Sequence, residues 1–214
     1  NRCSPADGRW RDVYVACLIS SFGLFVPFVH LVPYALDHGV PGGSAVLLLG
    51  AIGVGSTAGR FFLGGLADRM GRAQTMLLMS TGMALSLLVW AASNGFWGLA
   101  VFAFFYGAFY GGFVALLPAL VMDYFGGRNI SAIIGVLYTS VAFGTLVGPA
   151  AAGYAFDLSP SYLLPVLFSL GGNLVAAAIM WTMSRADAFA PAKPATAGPA
   201  RSTVPHDPST ARRF

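Results

Sequence analysis

The chain has 214 residues, of which 57% are apolar and only 9% are Asp, Glu, Lys or Arg, and its net charge is +4. Soluble domains carry about 25% charged residues, so this chain cannot clothe a water-exposed surface of its size, and a soluble globular enzyme is excluded. Intrinsic disorder is excluded as well, because it needs low hydrophobicity and high net charge.

The opening residues 1–12 are polar and read as a cytosolic leader or the end of a central loop. Six charge-poor apolar runs follow, at 13–36, 44–66, 73–92, 96–122, 130–156 and 161–183. Each reaches the roughly 20 residues that a helix needs to cross about 30 Å of hydrocarbon. The runs are apolar on both parities, which a closed barrel of alternating strands would not be, so the predicted fold is an all-α membrane protein of six transmembrane helices over 13–183. Short breaker-rich turns at 37–43, 68–72, 93–95, 126–129 and 157–160 make successive helices antiparallel. Residues 184–214 turn to Ala, Pro, Ser, Thr and Arg without apolar period, the pattern of a disordered cytosolic tail.

Charge placement predicts orientation. With both termini in the cytosol, Arg2, Arg9, Arg11, Arg69, Arg72, Arg128, Arg185, Lys193, Arg201, Arg212 and Arg213 all fall inside and none outside. The remaining cation, Arg60, lies within the second span. The basic residues form no stripe, which excludes a nucleic-acid partner. Cys3 and Cys17 have no metal-ligand spacing, and the spans hold no paired carboxylates, phosphate loop or nucleophile constellation. No metal, cofactor or enzymatic activity is expected. The Ala- and Gly-rich, Lys-poor composition points to a GC-rich bacterial genome and hence to a bacterial inner membrane.

The first three spans are echoed in the last three. Gly59, Gly64 and Asp68 recur, 89 residues later, as Gly148, Gly153 and Asp157, and Pro33, Asp37 and Gly39 find a looser echo in Pro118, Asp123 and Gly126. Three spans is an odd number, so the second copy is inverted: a 3+3 repeat of the kind from which secondary transporters are built.

The run from Gly59 to Arg72, with Gly64, Asp68, Arg69, Gly71 and Arg72 in register, resembles the Gly-x-x-x-Asp-Arg-x-Gly-Arg loop of the major facilitator superfamily. Pro27, Phe28, Val29, His30, Leu31 and Tyr34, then Met122-Asp123, and Gly148-Pro149 with Gly153 and Asp157, resemble the carboxyl-terminal half of the monocarboxylate transporter family and its bacterial relatives. The resemblance implies half of a twelve-helix fold, a missing amino-terminal six-helix half as partner, and a small organic anion as substrate with a co-transported proton. It implies that Arg60 binds the substrate carboxylate, a task suited to a planar guanidinium. Snorkelling to the interface is the other reading of Arg60. One turn earlier stands Ser56, where family members carry an aspartate. His30 and Tyr34, a turn apart on one helix, are candidates to support the carboxylate or relay a proton; an interfacial hydrogen bond is the plainer role for His30. Asp68 is implied to meet the start of the fifth helix near Ile130 as a gating latch, against a purely topological role for Arg69 and Arg72. Gly148, Pro149 and Gly153 read as packing and kink positions.

The expected function is therefore secondary transport of a monocarboxylate-like anion by alternating access. The rivals are a six-span sensor or assembly subunit, and a carrier of a neutral solute or drug.

Overall fold

The computed structural model describes residues 5–125, 130–158 and 162–188. It is helical throughout: α1 Pro5–Leu24, α2 Val26–Asp37, α3 Gly42–Phe62, α4 Gly64–Met70, α5 Arg72–Ala92, α6 Phe96–Phe125, α7 Ile130–Leu158 and α8 Leu163–Ala188. These build six apolar membrane-length spans: Trp10–Asp37 from α1 and α2, Gly42–Met70 from α3 and α4, Arg72–Ala92, Phe96–Phe125, Ile130–Leu158 and Leu163–Thr182.

Several boundaries differ from the sequence reading. Helix α1 begins at Pro5, so most of the polar opening extends the first helix, while residues 1–4 lie outside the described residues. The last helix runs to Ala188, and the expected tail beyond it, like the turn residues 126–129 and 159–161, lies outside them too. The expected turn at 68–72 shrinks to Gly71, because Asp68, Arg69 and Met70 complete α4. Gly71 has φ 89° and ψ 146°, a conformation open to glycine alone, which lets one residue reverse the chain into α5.

Two spans are interrupted. At Phe25 the first span breaks ahead of Pro27, which has no N–H to give the preceding turn. With no water in hydrocarbon to solvate a freed carbonyl, the protein must supply a donor. The fully buried Tyr106 of α6 does so, its hydroxyl donating to the Leu24 carbonyl at 2.7 Å. In the second span, Leu66 N–H bonds back to the Leu63 carbonyl at 3.2 Å, a tightened turn with the paired glycines Gly64 and Gly65 at its centre that sets off α4.

Packing runs mainly between the two repeats. Helix α3 lies along α6 and α1 along α7, while α5 packs on α6 and α8, and α8 also on α1. Exchanging the first three spans for the last three maps α3–α6 onto α7–α1, maps α5–α6 onto α8–α1, and returns α5–α8 to itself. The inverted repeat is thus visible in the architecture.

Its main seams are made by backbone approach. A Cβ on Gly59 would sit 1.9 Å from the Ala108 carbonyl oxygen, and one on Gly148, its repeat equivalent, 2.0 Å from that of Phe22. Gly107 and Gly111 answer from α6, where a Cβ would lie 2.2 Å from the Ile52 and 2.1 Å from the Ser56 carbonyl oxygen. Such contact replaces the hydrophobic driving force that lipid cannot provide.

Two outcomes are expected in thermal unfolding of the detergent-solubilised protein. Gly59→Ala forces α3 from α6 and destabilises by roughly 1–3 kcal/mol, whereas Gly53→Ala, whose Cβ meets nothing within 4 Å, leaves the transition in place; equal effects would refute the seam. Tyr106→Phe strands the Leu24 carbonyl and costs about 1–3 kcal/mol, and an unchanged transition would show that the break needs no such cap.

Candidate functional site

Arg60 stands in the last turn of α3 with its side chain exposed. Arg60 lies ten residues before the end of the Gly42–Met70 span, with the break at Leu63 and the charged, exposed Asp68 and Arg69 between them. A cation at this depth is expensive unless a polar cavity or an anion faces it.

An aromatic cluster lies around Tyr110 of α6, the helix against which α3 packs. The Tyr110 ring meets Phe28 edge-on, with centroids 5.2 Å apart, and Phe25 at 6.1 Å. Phe25 and Phe28 lie at the break between α1 and α2, so the interruption in the first span brings two rings to Tyr110. Phenolic hydroxyls and a guanidinium can bind a carboxylate while the ring faces take an apolar body. Sequence reasoning noted Tyr110 only among the aromatics of its helix. Its ring partners Phe25 and Phe28 lie on the first span, and no local pattern marks that these faces meet.

His30 and Tyr34 diverge despite sharing α2. His30 Nε2 lies 3.3 Å from the Pro149 carbonyl oxygen, and the space above Gly153 receives the same ring, 3.9 Å from where a Cβ would stand. The structure therefore gathers His30, Pro149 and Gly153 at one crossing of the first and fifth spans, with Gly148 a turn away against Phe22. Tyr34 is buried, and its hydroxyl donates to the Ser93 carbonyl at 3.0 Å and to Asn94 Oδ1 at 3.2 Å. Its ring stacks on His38 and meets Trp90 and Tyr162 edge-on. Among the described residues no hydrogen bond or ion pair joins Arg60 to His30 or Tyr34, and Tyr34 is committed to the turn between α5 and α6.

In the loop after the second span, Gly64 is open to its surroundings, and Asp68 and Arg69 are exposed. Asp68 has no hydrogen bond or ion pair among the described residues. The polar link from this loop is Arg72, whose Nη1 donates to Asp123 Oδ1 at 2.6 Å and to the Ala119 carbonyl at 3.0 Å. It ties the start of the third span to the end of the fourth. Thr75 donates back to the Gly71 carbonyl at 2.9 Å and secures the first turn of α5.

Six membrane spans in inverted triplets, with a cation inside the second and an ion-paired loop between the second and third, make this a helical membrane bundle built from an inverted repeat. The chain belongs to the Major Facilitator Superfamily, whose family model matches residues 13–212. It is 33% identical to Monocarboxylate transporter 12-B of Danio rerio over 167 residues, covering 76% of this chain and 35% of that protein. It is 34% identical to Monocarboxylate transporter 3 of Gallus gallus over 170 residues, covering 76% of this chain and 31% of that one. The chain thus spans about a third of the length of these curated relatives. The crystal structure of the POT family transporter PepTSo superposes with a TM-score of 0.73 over 83% of this chain and 37% of that one, at 15% identity, a likeness of fold. The protein is an integral membrane protein of a transporter family, and that family is not one of enzymes.

The Arg72–Asp123 pair is part-exposed, so a double-mutant cycle of Arg72→Gln and Asp123→Asn is expected to give a coupling of no more than about 1 kcal/mol, shrinking with salt. A coupling near zero in low salt would show that the contact contributes nothing.

Proposed function

We propose that this chain is the carboxyl-terminal six-span half of a secondary transporter that moves a small, monocarboxylate-like organic anion by alternating access. The observation that carries the reading is Arg60: an exposed guanidinium within the second span, on the helix that packs against α6 with its Tyr110. Such a group holds a carboxylate by two hydrogen bonds, and the rings select a small apolar body. The names of the relatives support the substrate class.

A cation and aromatic wall need an opposite side. Helix α3 presents an open groove of about 600 Å³ along Gly50, Gly53, Val54, Thr57, Ala58 and Phe61. The equivalent face of α7, with Ala142, Phe143, Leu146 and Ala150, is exposed as well. An amino-terminal six-helix half covers both faces and closes the path. His30, 3.3 Å from the Pro149 carbonyl oxygen, is the residue of this half assigned to support the carboxylate or relay a co-transported proton. Gly64, Asp68, Arg69, Gly71 and Arg72 form the inner gate, with the Arg72–Asp123 pair as its closed contact. Both termini are cytosolic, in a bacterial inner membrane.

In the complete protein, Arg60→Lys is expected to lower uptake of a carboxylate substrate at least ~10-fold, since an ammonium cannot make the bidentate contact, with membrane insertion unchanged. The amide analogue of the same substrate should not compete for uptake. Normal uptake by the variant would overturn the carboxylate site, and competition by the amide would favour a neutral solute.

A further inference from the structure

The inverted repeat places a second polar tie at the opposite end of the bundle from Arg72–Asp123. Asp37 closes the first span and Asp123 closes the fourth, 86 residues later. Arg72 opens the third span, and Tyr162, 90 residues later, stands immediately before α8, the last helix. Span by span, exchanging the repeats carries Asp123–Arg72, the end of the fourth span on the start of the third, onto Asp37–Tyr162, the end of the first on the start of the last. The residue offsets are 86 and 90 against the 89 of the glycines. That pair is formed: the Tyr162 hydroxyl donates a hydrogen bond to Asp37 Oδ2. Burial, together with the carboxylate it faces, holds the Tyr162 phenol above its ordinary value, so the hydroxyl keeps its proton and remains the donor.

We propose that the Tyr162–Asp37 hydrogen bond is the counterpart of the Arg72–Asp123 ion pair, a tether that fastens the end of α2 to the last span and has to part whenever α2 moves from α8. The proposal rests on the repeat geometry and not on the carboxylate reading of Arg60. Helix α2 is the segment such a tether can control. It is 12 residues long and separated from α1 by the break at Phe25, and its far end is fixed by side chains: Tyr34 on Ser93 and Asn94, and Asp37 on Tyr162. The two ties differ in chemistry. Arg72 brings a permanent charge and a second bond to the Ala119 carbonyl, whereas Tyr162 brings one neutral hydroxyl on a ring packed 5.0 Å from Tyr34 and 4.5 Å from Phe156. The Asp37 tie is the less salt-sensitive of the two, because its donor is uncharged.

Tyr162→Phe removes the hydroxyl and keeps both ring contacts, so the packing of the last span is preserved. In the complete protein in lipid nanodiscs, hydrogen–deuterium exchange of the amides of α2 should rise at least ~3-fold in this variant, with α5 and α6 exchanging as in the wild type. Asp37→Asn retains an oxygen acceptor and should give a smaller rise confined to the same helix. Arg72→Gln should loosen the start of α5 and leave α2 unchanged. Exchange in α2 that stays at the wild-type rate in Tyr162→Phe, or that rises equally in every span, would overturn the tether; so would an Arg72→Gln variant that loosens α2 as much as Tyr162→Phe does.

Discussion

The constraint on which the structure depends is that hydrocarbon offers nothing to hydrogen-bond with and little reason for one apolar helix to prefer another. Association must come from contact between backbones, and each interruption of a helix must be repaired from within. Both consequences are local to named residues. The glycines at 55, 59, 107 and 111 let α3 and α6 touch through their main chains, and Gly144 and Gly148 do the same for α7 against α1. The Tyr106 hydroxyl then makes the discontinuity at Phe25 tolerable. Once that break exists, Phe25 and Phe28 can turn toward Tyr110, one turn from the repair on the same helix, α6.

The two ends of the bundle illustrate how one duplicated scaffold accommodates different chemistry. In each case a carboxylate at the exit of one span is engaged by a residue at the entry of another, and the seams between them are related by the same exchange of repeats. What changes is the donor: a guanidinium at one end and a phenol at the other. Duplication preserves where a contact falls, because that is set by the main chain and by helix length. It leaves the strength and salt sensitivity of the contact free to vary with a single side chain.

Much of this was legible in the sequence, for reasons that can be stated. Span number and helical class follow from apolar length alone, and the 89-residue offset of Gly59, Gly64 and Asp68 from Gly148, Gly153 and Asp157 announces the repeat. The break at Phe25 had a signal in Pro27, but the one at Leu63 had only paired glycines, which are common enough in membrane helices to carry no message. Tyr34 shows the harder limit. Its spacing from His30 is that of a shared face, yet one turn is enough to carry it from the crossing with α7 to the turn at Ser93. The cluster of Tyr110 with Phe25 and Phe28 was out of reach because it depends on the rotation of two separate spans, which no single-helix periodicity encodes. Asp123 was noticed as a span ending, but its partner Arg72 is 51 positions away and emerges only when the third and fourth spans are laid side by side.

The dominance of contacts between repeats bears on how the molecule is made. The third span has its principal neighbours in α6 and α8, the second in α6, and the first in α7 and α8, all of which lie later in the chain. Spans one to three therefore enter the bilayer before the surfaces they fit have been synthesised. The seams of this half close only as the fourth, fifth and sixth spans arrive.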